Sequence, residues 1–193
     1  SSNSKFVIFY SDEGNSNYGT AVVATVSGTS ISYGTPATYV SAQAEEQSAT
    51  FDSSNNKVVV SYVNASDNKA YAAVGTVSGT SISFGTPVEW EAGAARYTAT
   101  TFDSNSNKVV VACQDSGNSS YGTARVGTVS GTSISFGTAV VFENATTEFT
   151  GATFDSTNNK VVIVYSDGGN STRPTAIVGT VSGTDISFGT AVE

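Results

Sequence analysis

One twelve-residue stretch occurs four times in this chain, and its spacing constrains the fold more than any other feature. The copy at Gly75 reads GTVSGTSISFGT, and the others begin at Ala24, Gly127 and Gly179 with at most two substitutions. The copies recur every 51 or 52 residues, a period that predicts one supersecondary unit stacked several times. We therefore predict a single repeat domain over residues 1–193. Its repeats cover residues of about 1–46, 47–95, 96–146 and 147–193.

Each repeat carries four strand signals, which we name A to D. In the third repeat, strand A covers residues 97–102 and strand B covers 108–113, whose valines are typical of a buried strand. Strand C covers 121–129, and a tight Ser-Gly-Thr turn leads to strand D over 133–142, with a bend at Gly137. No segment has helical periodicity, so the sequence predicts an all-β chain.

Four short antiparallel strands per repeat resemble the blades of tandem β-propeller repeat proteins, among them lectin-like, adhesion and phage-fibre proteins. Small residues on strand A, such as Ala99 and Thr100, fit an innermost strand crowded around a central axis. The resemblance covers the whole chain and implies a four-bladed array. The alternative fold is a β-solenoid or a sandwich array.

Lys5 opens strand B of the first repeat, so we expect the first blade to lack its inner strand. Three hypotheses follow: a closed four-bladed form, a segment of a larger propeller, or one subunit of an assembled ring or filament. An open strand edge favours pairing with another chain, so self-association is an expected property.

Composition excludes several partners. The formal net charge of −8 opposes binding to the nucleic-acid backbone. No apolar run approaches the roughly 20 residues of a membrane span, so we expect no membrane insertion. A chain with no His and one Cys does not suit a zinc site. Cys113 stands where the other repeats have Tyr, and we interpret it as a packing residue.

The repeats are nearly identical at one end of the strands and differ at the other. The A–B and C–D turns share the constant end. The B–C loops and the predicted D–A loops, which cover residues 38–48, 89–98 and 143–151, share the variable end. Loops on a rigid scaffold often carry binding, so the variable end is the predicted binding surface. The alternatives are drift in unconstrained loops and self-association through the constant end.

Aromatic and charged side chains recur at two positions of the variable end. At or near the start of strand C stand Tyr18, Tyr71, Tyr121 and Arg173. At the start of strand A stand Glu46, Tyr97 and Phe149. Aromatic rings stack on sugars while short polar groups bind hydroxyls, and repeated sites gain avidity. These residues predict a glycan or cell-surface ligand, whereas packing at strand edges is the alternative. Tyr39, Trp90 and Phe142 are expected in the core.

The sequence signals for a metal site and for catalysis are weaker than those for ligand binding. Asp12, Asp115 and Asp167 occupy one position of the B–C loops, and such carboxylates resemble fragments of calcium sites. Asp also caps turns, which is the interpretation we favour, so no cofactor is predicted. Without His, acid–base catalysis would need carboxylates, and no pair stands out.

The sequence therefore predicts a non-enzymatic carbohydrate-binding or adhesion module that is secreted or exposed on a surface such as a virion. The alternative is a structural protein that self-assembles into a filament, a surface layer or a virion component.

Overall fold

The chain is all-β, which confirms that part of the predicted fold. The structure is a computed structural model that describes residues 5–193, and residues 1–4 of the first predicted repeat lie outside them. Sixteen strands and three short 3₁₀ helices occur in the described range, which contains no α-helix.

Each predicted repeat contains four or five strands, with β4 and β13 each extending across two repeats. The first repeat contains β1 (Lys5–Asp12), β2 (Tyr18–Ser27), β3 (Ser30–Tyr33) and the beginning of β4 (Ala37–Asp52). The second contains the end of β4, β5 (Lys57–Asn64), β6 (Lys69–Ser78), β7 (Ser81–Phe84) and β8 (Val88–Glu91). The third contains β9 (Ala95–Asp103), β10 (Lys108–Asp115), β11 (Tyr121–Ser130), β12 (Ser133–Phe136) and the beginning of β13 (Val140–Asp155). The fourth contains the end of β13, β14 (Lys160–Asp167), β15 (Arg173–Ser182) and β16 (Asp185–Phe188).

Hydrogen bonds join the strands into two antiparallel sheets of eight strands, one from β1 to β8 and one from β9 to β16. Strands A, B and C of a repeat pair in sequence order, as β4, β5 and β6 do. No strand pairing joins the first repeat to the fourth among residues 5–193. Two antiparallel sheets are compatible with the sandwich alternative.

The predicted D–A loops at 38–48 and 143–151 are wrong, because β4 and β13 run through them as strands of 16 residues. In β4, Gln43 pairs with Tyr18 of the first repeat, and Ala44 pairs with Asn64 of the second. The first part of this polar segment therefore pairs with the first repeat and its second part with the second repeat, with a shift in register between Glu45 and Ser48. Only the segment at 89–98 contains a break, between β8 and β9.

The predicted turns at the constant end are confirmed. Asp103 ends β9, and its carboxylate accepts hydrogen bonds from the backbone N–H groups of Asn105 and Ser106 at 2.9 and 3.0 Å. In the C–D turn, Gly131 has a φ of 62°, a left-handed conformation that glycine adopts without steric penalty. The bend at Gly137 is also present, since strand D is divided there into β12 and the beginning of β13.

The hydrophobic core lies between successive repeats. Ile134 of the third repeat packs with Val74 and Trp90 of the second. The equivalent Ile82 packs with residues of the first repeat, including Tyr39, and Ile186 packs with residues of the third, including Phe142. Tyr39, Trp90 and Phe142 are buried, as predicted for core residues.

A close backbone contact accompanies each of these three interfaces. A Cβ atom at Gly34, Gly85 or Gly137 would lie 1.8, 1.9 or 2.0 Å from the carbonyl oxygen of a threonine in the C–D turn of the next repeat. The three threonines are Thr80, Thr132 and Thr184. Only glycine leaves room for that oxygen, so the interface between repeats has the same geometry three times.

The first repeat lacks an inner strand within the described residues. β1 pairs with β2, and no described strand pairs with its other edge. A groove beside it is lined by Phe6 and Val7 of β1 and by Ala49, Phe51 and Val77 of the second repeat.

Candidate functional site

The B–C loops at the variable end are shaped by capping side chains. Asp12, Asp115 and Asp167 each precede a 3₁₀ helix, and their carboxylates accept backbone N–H groups at 3.1, 3.1 and 2.8 Å. In the second repeat, Asn64 accepts the N–H of Ser66 at 3.0 Å. Residues 5–193 contain no group of three or more His, Cys, Asp or Glu side chains that could hold a metal ion. The geometry thus assigns these carboxylates a role in the turns.

Tyr18, Tyr121 and Arg173 are each the first residue of strand C, opposite Asp12, Asp115 and Asp167 respectively. The two tyrosines are half-buried and lie in different repeats. No ring contact joins them to each other within residues 5–193. Tyr18 and Tyr121 therefore lie at separate positions in two repeats and do not form one combined site.

Tyr71 does not share that position, which Lys69 occupies in the second repeat. Its ring stacks on Tyr62 at 5.9 Å, and its hydroxyl donates a hydrogen bond to Asp67 at 2.7 Å. This bond raises the pKa of Tyr71 to about 12. Lys69 pairs with Glu89 at 2.9 Å beside it. Tyr71 is therefore held in a local polar cluster that the repeat pattern did not predict.

Arg173 is paired as well. Its guanidinium lies 2.7 Å from the Glu193 carboxylate, and Asn170 also donates to that carboxylate. These hydrogen bonds hold the pKa of Glu193 below its usual range. Both members of the ion pair are exposed, so an incoming anionic group could compete for Arg173.

Glu46, Tyr97 and Phe149 share an unusual backbone conformation. Their φ angles are 49°, 54° and 52°, in the left-handed region that residues other than glycine rarely adopt. At each of them the pairing between strands A and B shifts register, which marks a β-bulge. Such backbone strain persists where surrounding contacts enforce it, and it is often associated with functional sites.

These three residues form a row across three repeats, which we call the inner row. The Tyr97 N–H donates to the Glu46 carboxylate, and the Thr98 hydroxyl donates to the Glu46 carbonyl oxygen. The rings of Tyr97 and Phe149 lie 5.0 Å apart at an angle of 46°. Phe149 is 72% exposed, although it is a large apolar side chain. The inner row thus joins an acid, a half-buried tyrosine and an exposed phenylalanine.

Glu46, the acid of the inner row, is partly buried, and burial raises the pKa of its carboxyl. The nearby Arg96 lowers this pKa, and Glu45 raises it further. The third repeat covers Glu46 through the backbone of Tyr97.

A second acid, Glu91, lies buried between the second and third repeats. Its carboxylate is 3.8 Å from the Arg125 guanidinium. Glu143, at the same position of the next repeat, instead accepts the Tyr165 hydroxyl at 2.8 Å. Cys113 replaces that tyrosine beside Glu91. It is fully buried, and burial raises the pKa of its thiol, so the prediction of a packing residue is confirmed. The sequence did not reveal the Glu91–Arg125 pair, because its members belong to different repeats.

No protein-family model and no curated protein sequence matches this chain. The described residues include no helix that is long and apolar enough to span a membrane.

Proposed function

We propose that this protein is a non-enzymatic binding module whose variable end takes glycan ligands. The inner row carries the proposal, because it presents the paired rings of Tyr97 and Phe149 beside the Glu46 carboxylate. An aromatic ring stacks on the apolar C–H face of a sugar, while carboxylate and hydroxyl groups bind its hydroxyls. Tyr18 and Tyr121 add one further aromatic ring each, at equivalent positions of the first and third repeats.

The inner strands support a propeller-like arrangement of the repeats, which is part of the same proposal. The Thr100 N–H donates to the Ser48 hydroxyl at 2.9 Å, and Tyr97 contacts both Glu46 and Phe149. The A strands of successive repeats therefore pack directly on each other, as blades do around a common axis. In that arrangement the aromatic positions are repeated around one end, where weak sites act together through multivalency. The setting that suits such a module is extracellular or on a virion surface.

The contacts of the Glu46 and Glu91 carboxylates support the proposal that the protein is not an enzyme. Glu46 accepts a backbone N–H, and Glu91 is buried between repeats beside Arg125.

A glycan array tests this function, with the wild-type chain applied in calcium and again in chelator. We expect a defined set of glycans to be retained in both buffers. Phe149→Ala and the double variant Tyr18→Ala/Tyr121→Ala should each weaken binding about two- to tenfold, since an aromatic contact contributes about 0.5–1.5 kcal/mol. Phe51→Ala is the matched control, because Phe51 is a partly exposed ring at the constant end of β4.

Two results would contradict the proposal. A blank array in both buffers excludes glycan recognition at the tested affinities. Retention that Phe51→Ala weakens as much as Phe149→Ala does would place binding outside the variable end. Loss of binding only in chelator would indicate that binding requires a metal ion, with Asp12, Asp115 and Asp167 as its candidate ligands.

A further inference from the structure

The first repeat exposes an apolar surface that is buried in the other repeats. Ile31 is 50% exposed, whereas Ile82 and Ile134 at the same repeat position are 6% and 4% exposed. Tyr33, two residues later, is the most exposed of the aromatic residues at its position, and the equivalent Phe84 packs on the preceding repeat. We call the surface of Ile31 and Tyr33 the front face. It corresponds to the surface with which each later repeat packs on its predecessor.

The fourth repeat exposes the opposite half of the same interface. Val178 is 45% exposed, whereas Val126 at the equivalent position is fully buried against the fourth repeat. Val164 is similarly exposed where Ala112 is buried. A Cβ atom at Gly189 would have no close neighbour apart from Val178 at 3.8 Å, whereas the equivalent Gly137 contacts Thr184 of the next repeat. We call the surface of Val164, Val178 and Gly189 the rear face.

The two faces complement each other in a way that the chain itself demonstrates three times. At each internal interface, an isoleucine and an aromatic ring of one repeat fill the surface that a valine and a glycine of the preceding repeat present. We propose that a second copy of this chain docks its front face on the rear face, head to tail. In this contact, Ile31 and Tyr33 of one copy pack on the fourth repeat of the other copy as Ile186 and Phe188 pack on the third repeat. The backbone at Thr29 then lies against Gly189.

Physical considerations favour a second copy as the occupant. A surface of a repeat array that meets water is usually polar. Here Ile31, Tyr33, Val164 and Val178 are large apolar or aromatic side chains that are each at least 45% exposed. The front face has the shape and the chemistry of the surface that the rear face meets elsewhere in the molecule. Neither face includes Tyr18, Tyr97 or Tyr121, but Phe149 lines a groove together with Val164 of the rear face.

The contact is heterologous, which means that each copy uses a different surface. A heterologous contact forms a ring if the rotation closes and an open filament if it does not. It also predicts that blocking either face alone prevents self-association. Two differently blocked chains can still combine.

Sedimentation velocity over a concentration series tests the proposal on the full chain. The wild-type protein should show masses above that of one chain, increasing with concentration. Ile31→Asp blocks the front face and Val178→Asp blocks the rear face, so each variant alone should remain a monomer. An equimolar mixture should form a one-to-one dimer, because each variant supplies the face that the other lacks.

Val141→Glu is the matched control. Val141 is an exposed valine on neither face, and the equivalent residue of the second repeat is Glu89. It should assemble as the wild type does. Circular dichroism checks that all variants keep their strands. If Ile31→Asp fails to fold, Tyr33→Glu replaces it on the same face.

Three outcomes overturn the proposal. The first is a wild-type protein that stays monomeric at all concentrations. The second is a dimer that persists in Ile31→Asp and in Val178→Asp, which would indicate a different or a symmetric interface. The third is a mixture that remains monomeric although the wild type assembles.

Discussion

Ile31 and Ile134 stand at the same position of nearly identical repeats, yet one lies at the surface and the other in the core. The difference comes from the neighbouring repeat and not from the local sequence, since each interface core combines residues of two repeats. Stability in such an array is the sum of contributions within repeats and between nearest neighbours. The interior and terminal repeats of this chain should therefore respond very differently to the same substitution.

The largest contrast is expected at the interface glycines. Gly85→Ala would place a Cβ atom 1.9 Å from the backbone oxygen of Thr132, which cannot move without separating two repeats. We expect a loss of about 3 kcal/mol or more in the free energy of unfolding, measured by urea denaturation. Gly189→Ala makes the same chemical change where there is open space, and its effect should stay within about 0.5 kcal/mol. Equal effects of the two variants would show that the repeats do not pack through this glycine.

The isoleucine position gives an intermediate contrast. Ile134→Ala removes buried side-chain atoms between the second and third repeats and should destabilise the fold by about 2–5 kcal/mol. Ile31→Ala removes the same atoms from an exposed position, so we expect less than about 1 kcal/mol in dilute protein. Thermal and urea unfolding measure both effects. A large loss for Ile31→Ala that persists at the lowest protein concentration would contradict this comparison, whereas a loss that grows with concentration would sharpen it.

The smallest effect concerns the pH dependence contributed by Glu46. The third repeat covers Glu46, whereas Phe149, at the same position of the fourth repeat, is exposed. Burial raises the pKa of Glu46 in the folded chain, so its contribution to stability is present below the unfolded pKa and is lost as pH increases through the folded pKa. Glu46→Gln removes this ionisation and keeps an oxygen acceptor for the Tyr97 N–H.

We therefore expect the melting temperature of Glu46→Gln to rise relative to wild type as the pH increases from the ordinary glutamate pKa of about 4.3 through the raised pKa of Glu46 in the folded chain. Differential scanning calorimetry at several pH values measures the shift. A difference between the two proteins that is the same at every pH would show that the Glu46 pKa is not raised by burial.

The sequence predicted the parts of the fold that local chemistry determines. Valine-rich strands such as β10, the Asp-capped turns and the left-handed glycines of the C–D turns all follow from residue type and spacing. The continuous strand β4 was not predictable in this way. Its centre is polar, which is typical of a loop, and the strand continues because its first part pairs with β2 and its second part pairs with β5.

The candidate site was predictable in composition but not in arrangement. The repeat alignment identified Glu46, Tyr97 and Phe149 as equivalents, and the structure places them in one row. Their left-handed backbone has no sequence signal, because none of the three is glycine or asparagine. The partners of Tyr71 were missed for a related reason, since Asp67 and Glu89 belong to a cluster that only one repeat contains.

The recurring contact at Gly34, Gly85 and Gly137 has a consequence for how a gene of this kind can change. Unequal recombination between near-identical copies deletes or duplicates whole units in frame, and each new junction brings together a glycine and a threonine turn that already fit. A chain with more or fewer units would keep the same contact at each junction, provided that the unit before the junction keeps its glycine.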